Sequence, residues 1–189
     1  MGGTLVVHEV YQRDDGSLGV NPPEGIAGAF SKQTQLTDSA TTLSTQDSST
    51  DALLAEHTGD HFIVHIDLEF KAGTRAFGIR LFEDKETGDA YVFDCDMGES
   101  RLIFDRSPNL PWYRCMNKGL ERPLRLEAGR RYNIQVIVDD TIATLYLDGV
   151  ALNTRMYSKA GDSLGVYVID GELTIHNAVL HTELTATPA

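Results

Sequence analysis

Ten consecutive residues, His-Phe-Ile-Val-His-Ile-Asp-Leu-Glu-Phe at 61–70, place Phe62, Val64, Ile66, Leu68 and Phe70 on every second position. Successive side chains of an extended chain point to opposite sides, so this run predicts a half-buried strand. His65, Asp67 and Glu69 then share the outward face. The same period returns in Phe77, Ile79 and Leu81. It returns again in Tyr132, Ile134, Val136 and Val138, set against Asn133, Gln135 and Asp139. Further strands are expected at 90–96, 100–105, 123–127, 141–147, 164–169 and 172–184. Turn signals separate them: Thr87-Gly88-Asp89, Ala128-Gly129, Asp148-Gly149 and Asp170-Gly171. The last lies between Val-Tyr-Val-Ile and Glu-Leu-Thr-Ile and predicts a hairpin. Short strands at this spacing, with no long helical pattern, predict an all-β chain. The expected architecture is an antiparallel two-sheet β-sandwich of the concanavalin or jelly-roll kind. Only residues 23–31 offer a helical turn.

The ends and one internal stretch need separate treatment. Residues 4–20 read as a strand, a turn and a short second strand, broken at Pro22-Pro23. A domain boundary falls naturally at such a break. Residues 1–24 are therefore expected to be a connecting segment and 25–189 the sandwich domain. Residues 31–50 hold eleven Ser or Thr in twenty, a composition shared with disordered linkers. Leu36, Leu43, Leu53 and Leu54 are nevertheless spaced as in Thr-rich edge strands, so exposed strands with loose loops are expected there.

Charge narrows the partners. The 189 residues carry a net charge of −12 and a pI near 4.8. Nucleic acid and anionic membranes both need concentrated Lys and Arg, so neither is an expected partner. A neutral ligand such as a sugar fits, and so does simple acidic solubility. No apolar run approaches the ~18 residues of a membrane helix. The N-terminus shows no basic and apolar signal pattern, so no export signal is expected in the chain as given, and its location stays open. Of two cysteines, Cys95 continues the alternation of Tyr91 and Phe93 and is expected as a buried free thiol. Asp94, Asp96 and Glu99 have the hard oxygens that calcium takes. Asp94 and Asp96 share a strand face, however, which reads better as a charged solvent face. No metal and no cofactor are expected. Six scattered histidines and no nucleophile elbow give no support to Ser/His/Asp chemistry.

The candidate binding residues gather around Phe104–Pro123. This stretch holds the only tryptophan, Trp112, behind Pro108 and Pro111, with Asp105, Arg106, Tyr113 and Arg114 beside it. Prolines preset a loop, so a ring held there loses little freedom when a ligand arrives. Sugars take an apolar plate and directed polar groups. Trp112, Tyr113, Arg114, Asp105 and Arg106, with Arg80 and Glu83 at the end of the 75–83 strand, form the expected carbohydrate site. Each has a structural alternative. Trp112 can plug the sandwich or a domain interface, Arg80 and Glu83 can be an ordinary ion pair, Asp105 can cap the Ser-Pro turn, and Arg106 can pack across the sandwich edge.

Three segments carry a resemblance. Residues 4–24, Phe-Asp-Arg-Ser at 104–107, and the run 132–157 that ends Ala-Leu-Asn-Thr-Arg-Met-Tyr resemble the C-terminal part of glycoside hydrolase family 32. Those levanases, inulinases and invertases join a catalytic five-bladed propeller to a β-sandwich. Levan-binding modules of carbohydrate-binding family 66 share that sandwich. The resemblance implies a fructan-related role and a propeller as a possible neighbour of the chain. The family's catalytic motifs, Asn-Asp-Pro-Asn, Arg-Asp-Pro and Glu-Cys, have no counterpart. Arg13-Asp14-Asp15 and Asp94-Cys95 stand where the eye looks for two of them. Glycoside hydrolysis needs two carboxylates at a set separation, and no motif here places them. The expectation is a non-catalytic carbohydrate-binding accessory domain for fructan or fructose-terminated oligosaccharides. The alternative is a purely structural companion of the propeller.

Overall fold

The computed structural model describes residues 6–107 and 120–185. Two short strands open the chain, β1 (Glu9–Gln12) and β2 (Leu18–Asn21), paired antiparallel as a hairpin. A single 3-10 turn at Ile26–Ala29 follows. Then come β3 (Phe30–Gln35), β4 (Thr41–Ala55), β5 (His61–Phe70), β6 (Ala76–Glu83), β7 (Ala90–Asp96) and β8 (Arg101–Ser107). After them come β9 (Glu121–Pro123), β10 (Arg131–Asp139), β11 (Ile142–Leu147), β12 (Val150–Arg155) and β13 (Ser163–Leu184). The all-β antiparallel sandwich expected from the alternation is the fold. The Thr-rich segment forms β3 and β4, mostly exposed.

Eleven strands bond into one continuous sheet that folds over into two layers. The first layer runs β9-β8-β7-β6, then the first half of β13, then the second half of β4. The second runs β12-β11-β10-β5, then the second half of β13, with β3 and the first half of β4 at its edge. Asp170-Gly171 is thus no hairpin. Residues 164–169 pair with β6 and β4, while 171–175 pair with β4 and 173–181 with β5. Asp170 takes a left-handed φ of 44°, and Asp47 on the adjacent β4 takes 52°. The Asp47 amide donates to the Asp170 carboxylate at 3.2 Å. Two neighbouring strands therefore bend together, and the residues that favour a tight turn serve a bend instead.

The core register of β13 shows the cost of that bend. Leu164, Val166 and Val168 face inward before it, Leu173 and Ile175 after it, and Ala178 and Leu180 beyond a second irregularity between Ile175 and Asn177. Each irregularity shifts the inward parity by one and keeps apolar side chains inside. Between the layers, Phe62, Phe77, Ile79, Phe93, Leu102, Ile134 and Leu145 are all fully buried. Cys95 is buried and unpaired, and burial pushes its thiol pKa far up. The strand expected at 123–127 is shorter and earlier. Pro123 has no N–H to extend the ladder, and Leu124 turns into the core with its amide on the Ser100 carbonyl at 2.9 Å.

Gly171 sits at the bend against the turn before β6. A Cβ there would lie 2.5 Å from the Thr74 Cα. Gly171→Ala is expected to destabilise the chain by about 1–3 kcal/mol through overpacking. Urea unfolding measures it, and an unchanged midpoint would show that the bend and the Thr74 turn are free to separate.

Candidate functional site

On the first layer the core-facing residues alternate with an outward set, and pairing aligns that set in rows. Arg80 on β6 lies opposite Val92 on β7, which lies opposite Asp105 on β8. The next row runs Tyr167, Gly78, Asp94, Ile103 and Glu121 across β13, β6, β7, β8 and β9. A third runs Ser49, Ile169, Ala76, Asp96 and Arg101. These rows line an open groove of about 610 Å³.

Glycine shapes the floor. A Cβ on Gly78 would come within 2.7 Å of the Tyr167 hydroxyl and closer still to the Phe93 carbonyl, so only glycine lets the Tyr167 ring lie across β6. The buried Tyr167 hydroxyl donates to the Asp94 carboxylate at 2.8 Å. The Arg80 guanidinium sits 5.3 Å from the Tyr167 ring centroid and donates to Glu83 at 2.8 Å. The Arg80 Nε is buried without a partner among the described residues. At the far end Arg101 bridges Glu99 at 2.6 Å and Glu121 at 2.9 Å. Burial pushes the Asp94 carboxyl above its usual range. The Tyr167 hydroxyl opposes that rise, while the charges of Asp96 and Asp105 add to it.

The groove's charges favour one ligand chemistry. Five carboxylates (Asp94, Asp96, Glu99, Asp105, Glu121) face three guanidiniums (Arg80, Arg101, Arg106). That surplus repels anions and offers strong acceptors to hydroxyl donors, over an apolar floor of Val92, Ile103 and Ile169. Among the described residues no three His, Cys, Asp or Glu side chains stand close enough together to hold a metal ion.

Of the seven residues singled out from sequence, four lie in the described part. Arg80, Asp105 and Arg106 line the groove, and Glu83 joins it through Arg80. Arg106 is also a structural residue. It grips Asp89 with two bonds of 2.7 and 2.6 Å and lies 5.2 Å from the Tyr91 ring centroid. Asp105 accepts the Arg106 amide at 2.7 Å. Trp112, Tyr113 and Arg114 lie outside the described residues. Tyr167, Asp94 and the Arg101 network were not singled out as sugar ligands. Their outward parity was readable, but β13 joins β6 only through a pairing between residues far apart in sequence.

An all-β module with an open groove on one sheet face is the class that this geometry defines. Within that class the chain belongs to the family described as Glycosyl hydrolases family 32 C terminal, whose model matches residues 28–182. Solved structures agree in fold. A carbohydrate-binding module, CBM66 from Bacillus subtilis, superposes with a TM-score of 0.60 at 16% identity, covering 81% of this chain and 97% of that one. A fructosyltransferase from A. japonicus gives 0.64 at 19% identity, covering 94% of this chain but 31% of that one. A sucrose-6-phosphate hydrolase from Lactobacillus gasseri gives 0.62 at 14%, covering 94% and 33%. The chain thus spans about a third of the length of these two enzymes. What is matched is the C-terminal sandwich. No curated protein matches the chain at a significant level.

Asp94 gives a pH test. Its folded pKa is raised above the ordinary 3.8, so the folded state holds this proton more tightly than the unfolded chain does. The resulting stabilisation is complete below the ordinary value and is lost as pH rises through the raised one. At neutral pH the buried charge is a net cost. Asp94→Asn is therefore expected to raise the Tm at neutral pH, with the gain closing in acid. A lower Tm at neutral pH would mean that its partners outweigh its burial.

Proposed function

We propose that the chain is a non-catalytic accessory module that holds fructose residues of a levan-type fructan in the groove over Tyr167. The observation that carries this reading is the row Arg80–Val92–Asp105 beside Tyr167 and Asp94. It sets an arginine and carboxylates around an apolar floor on an open sheet face. A neutral, hydroxyl-rich ligand suits that surface, and a carbohydrate-binding module shares the fold over nearly its whole length. Arg80, Glu83, Asp105 and Arg106 supply hydrogen bonds at one end. Trp112, Tyr113 and Arg114 complete the site from the segment that follows Ser107, itself a groove residue. Residues 1–24 serve as the connecting segment and 25–189 as the module.

A second reading, a structural companion to a catalytic propeller, has its own support. Val10 and Leu18 on the N-terminal hairpin are 62% and 70% exposed, and Val7 just before it is 57% exposed. Exposed apolar side chains on the connecting segment suit a neighbouring domain.

Calorimetry of the pure chain separates the two. Levan is expected to bind, and Arg80→Ala to weaken that binding roughly tenfold. Trp112→Ala is expected to remove about 1–3 kcal/mol of binding without lowering the Tm. No heat with levan, inulin or fructose would leave the structural companion. A Tm that collapses in Trp112→Ala would make that ring a plug.

The pure chain is also expected to release no fructose from levan or sucrose. Release that disappears on mutating one groove carboxylate would instead assign it an active site.

A further inference from the structure

A second groove lies on the opposite face of the sandwich, where the N-terminal hairpin leans on the second layer. Its floor is β10. Arg131, Asn133 and Gln135 alternate with the buried Tyr132 and Ile134, so they share the outward face, about 6.8 Å apart. Tyr146 on β11 pairs with Gln135. The wall is the hairpin, docked by specific bonds. The Val20 amide donates to the Gly149 carbonyl at 2.9 Å, and Arg13 donates to the Asp148 carbonyl at 2.6 Å. Tyr11 crosses both Gly19 and Gly149, at each of which a Cβ would collide with its ring or hydroxyl. Floor and wall enclose about 320 Å³.

Three of the polar side chains around this groove already hold hydrogen bonds. Arg130 reaches Asp148 at 3.1 Å and covers the Tyr132 ring at 4.9 Å. Arg131 reaches His176 at 3.0 Å, and the Asn133 amide donates to Asp67 at 2.7 Å. Arg130 is neutralised by Asp148, whereas the His176 nitrogen accepts from Arg131 only when uncharged, so the Arg131 guanidinium keeps its charge and spare N–H donors that a hydroxyl can also use. The groove also offers the amides of Gln135 and Asn21, which hold no side-chain hydrogen bond among the described residues, beside Tyr11 and Pro22. Each amide both donates and accepts, and the ring and the proline are apolar plates. This is the chemistry that recognises an uncharged polyhydroxyl ligand.

We propose that this groove is a second site, for a neutral oligosaccharide, on the face opposite the Tyr167 groove. It uses none of the residues of that groove and does not rest on the fructan reading. A chain with sites on both faces would bridge two polysaccharide strands and gain avidity on a polymer over a short oligosaccharide.

The test is nuclear magnetic resonance of the full nitrogen-15-labelled chain. Side-chain amide signals of Gln135 and Asn21 are followed during titration with neutral fructo-, gluco- and manno-oligosaccharides. The expected result is a saturable shift of both with at least one of these sugars, unchanged in Arg80→Ala. The double variant Gln135→Ala with Asn21→Ala, followed through the backbone amides of β10 and β11, should bind that sugar roughly tenfold more weakly. Its remaining backbone spectrum should stay in place, showing an intact fold. Stationary Gln135 and Asn21 signals across the panel would overturn the proposal, as would shifts that vanish in Arg80→Ala. A levan-silent Arg80 groove beside a responsive Gln135 would defeat the fructan reading alone.

Discussion

Strand β13 is hydrogen-bonded to four other strands, and both layers hang on it. Its first half is shared with β6 and β4, its second with β5, β3 and β4. A backbone of 22 residues threaded this way leaves few groups unpaired, and every pair is remote in sequence. The two layers therefore cannot slide independently. A one-residue slip in one half would turn Leu164, Val166 and Val168 out of the core, and the bonds across the bend would carry that error into the other half. The bend needs two left-handed aspartates side by side, Asp47 and Asp170, so the local chemistry of a turn is used to hold a long strand together.

The groove over Tyr167 follows from this arrangement. On the outer face of the first layer, β13 and β6 both carry glycine, at Gly165 and Gly78. Removing two side chains from adjacent strands opens a trough, and Tyr167 and Arg80 lean into it. The trough then dehydrates Asp94, which gains one hydrogen bond from Tyr167 and two unfavourable neighbours in Asp96 and Asp105. A fold seeking only stability has no use for that carboxylate. Perturbed carboxyl pKa values in concave sites often mark functional positions, and on the proposed reading Asp94 would offer its free acceptors to a sugar hydroxyl.

Legibility in the sequence tracked the distance over which each feature is decided. Alternation is local, and it located β5, β6 and β10, with their inward and outward sets, from residues such as Phe62 and Ile134. The outward position of Arg80 was equally local. Whether Asp170-Gly171 closes a hairpin is decided by which strands lie beside it, and those are β4, β5 and β6, not its own two arms. Turn chemistry alone carries no information about them. Tyr167 and Asp94 escaped for the same reason: each looked like an ordinary outward residue until β13 was set beside β6. Arg106 shows the reverse case. Its parity on β8 matches Leu102 and Phe104, in keeping with the alternative that it packs across the sandwich edge, and there it meets Tyr91 and Asp89.

The proposed neutral ligand would also suit the surplus of carboxylates in the Tyr167 groove. Binding an ion would trade its hydration against a fixed charge and vary steeply with salt. Binding a hydroxyl-rich chain exchanges water bonds for protein bonds of similar kind, so the gain depends on geometry being set beforehand. Both grooves meet that requirement through backbone. Rows such as Arg80–Val92–Asp105 and alternations such as Arg131–Asn133–Gln135 are spaced by strand pairing and pleat, not by mobile loops. The ordering entropy of the floor is spent once, during folding, and is not charged again to the ligand. Strand-borne side chains then need only choose rotamers, and Arg80 has its own already narrowed by Glu83 and the Tyr167 ring.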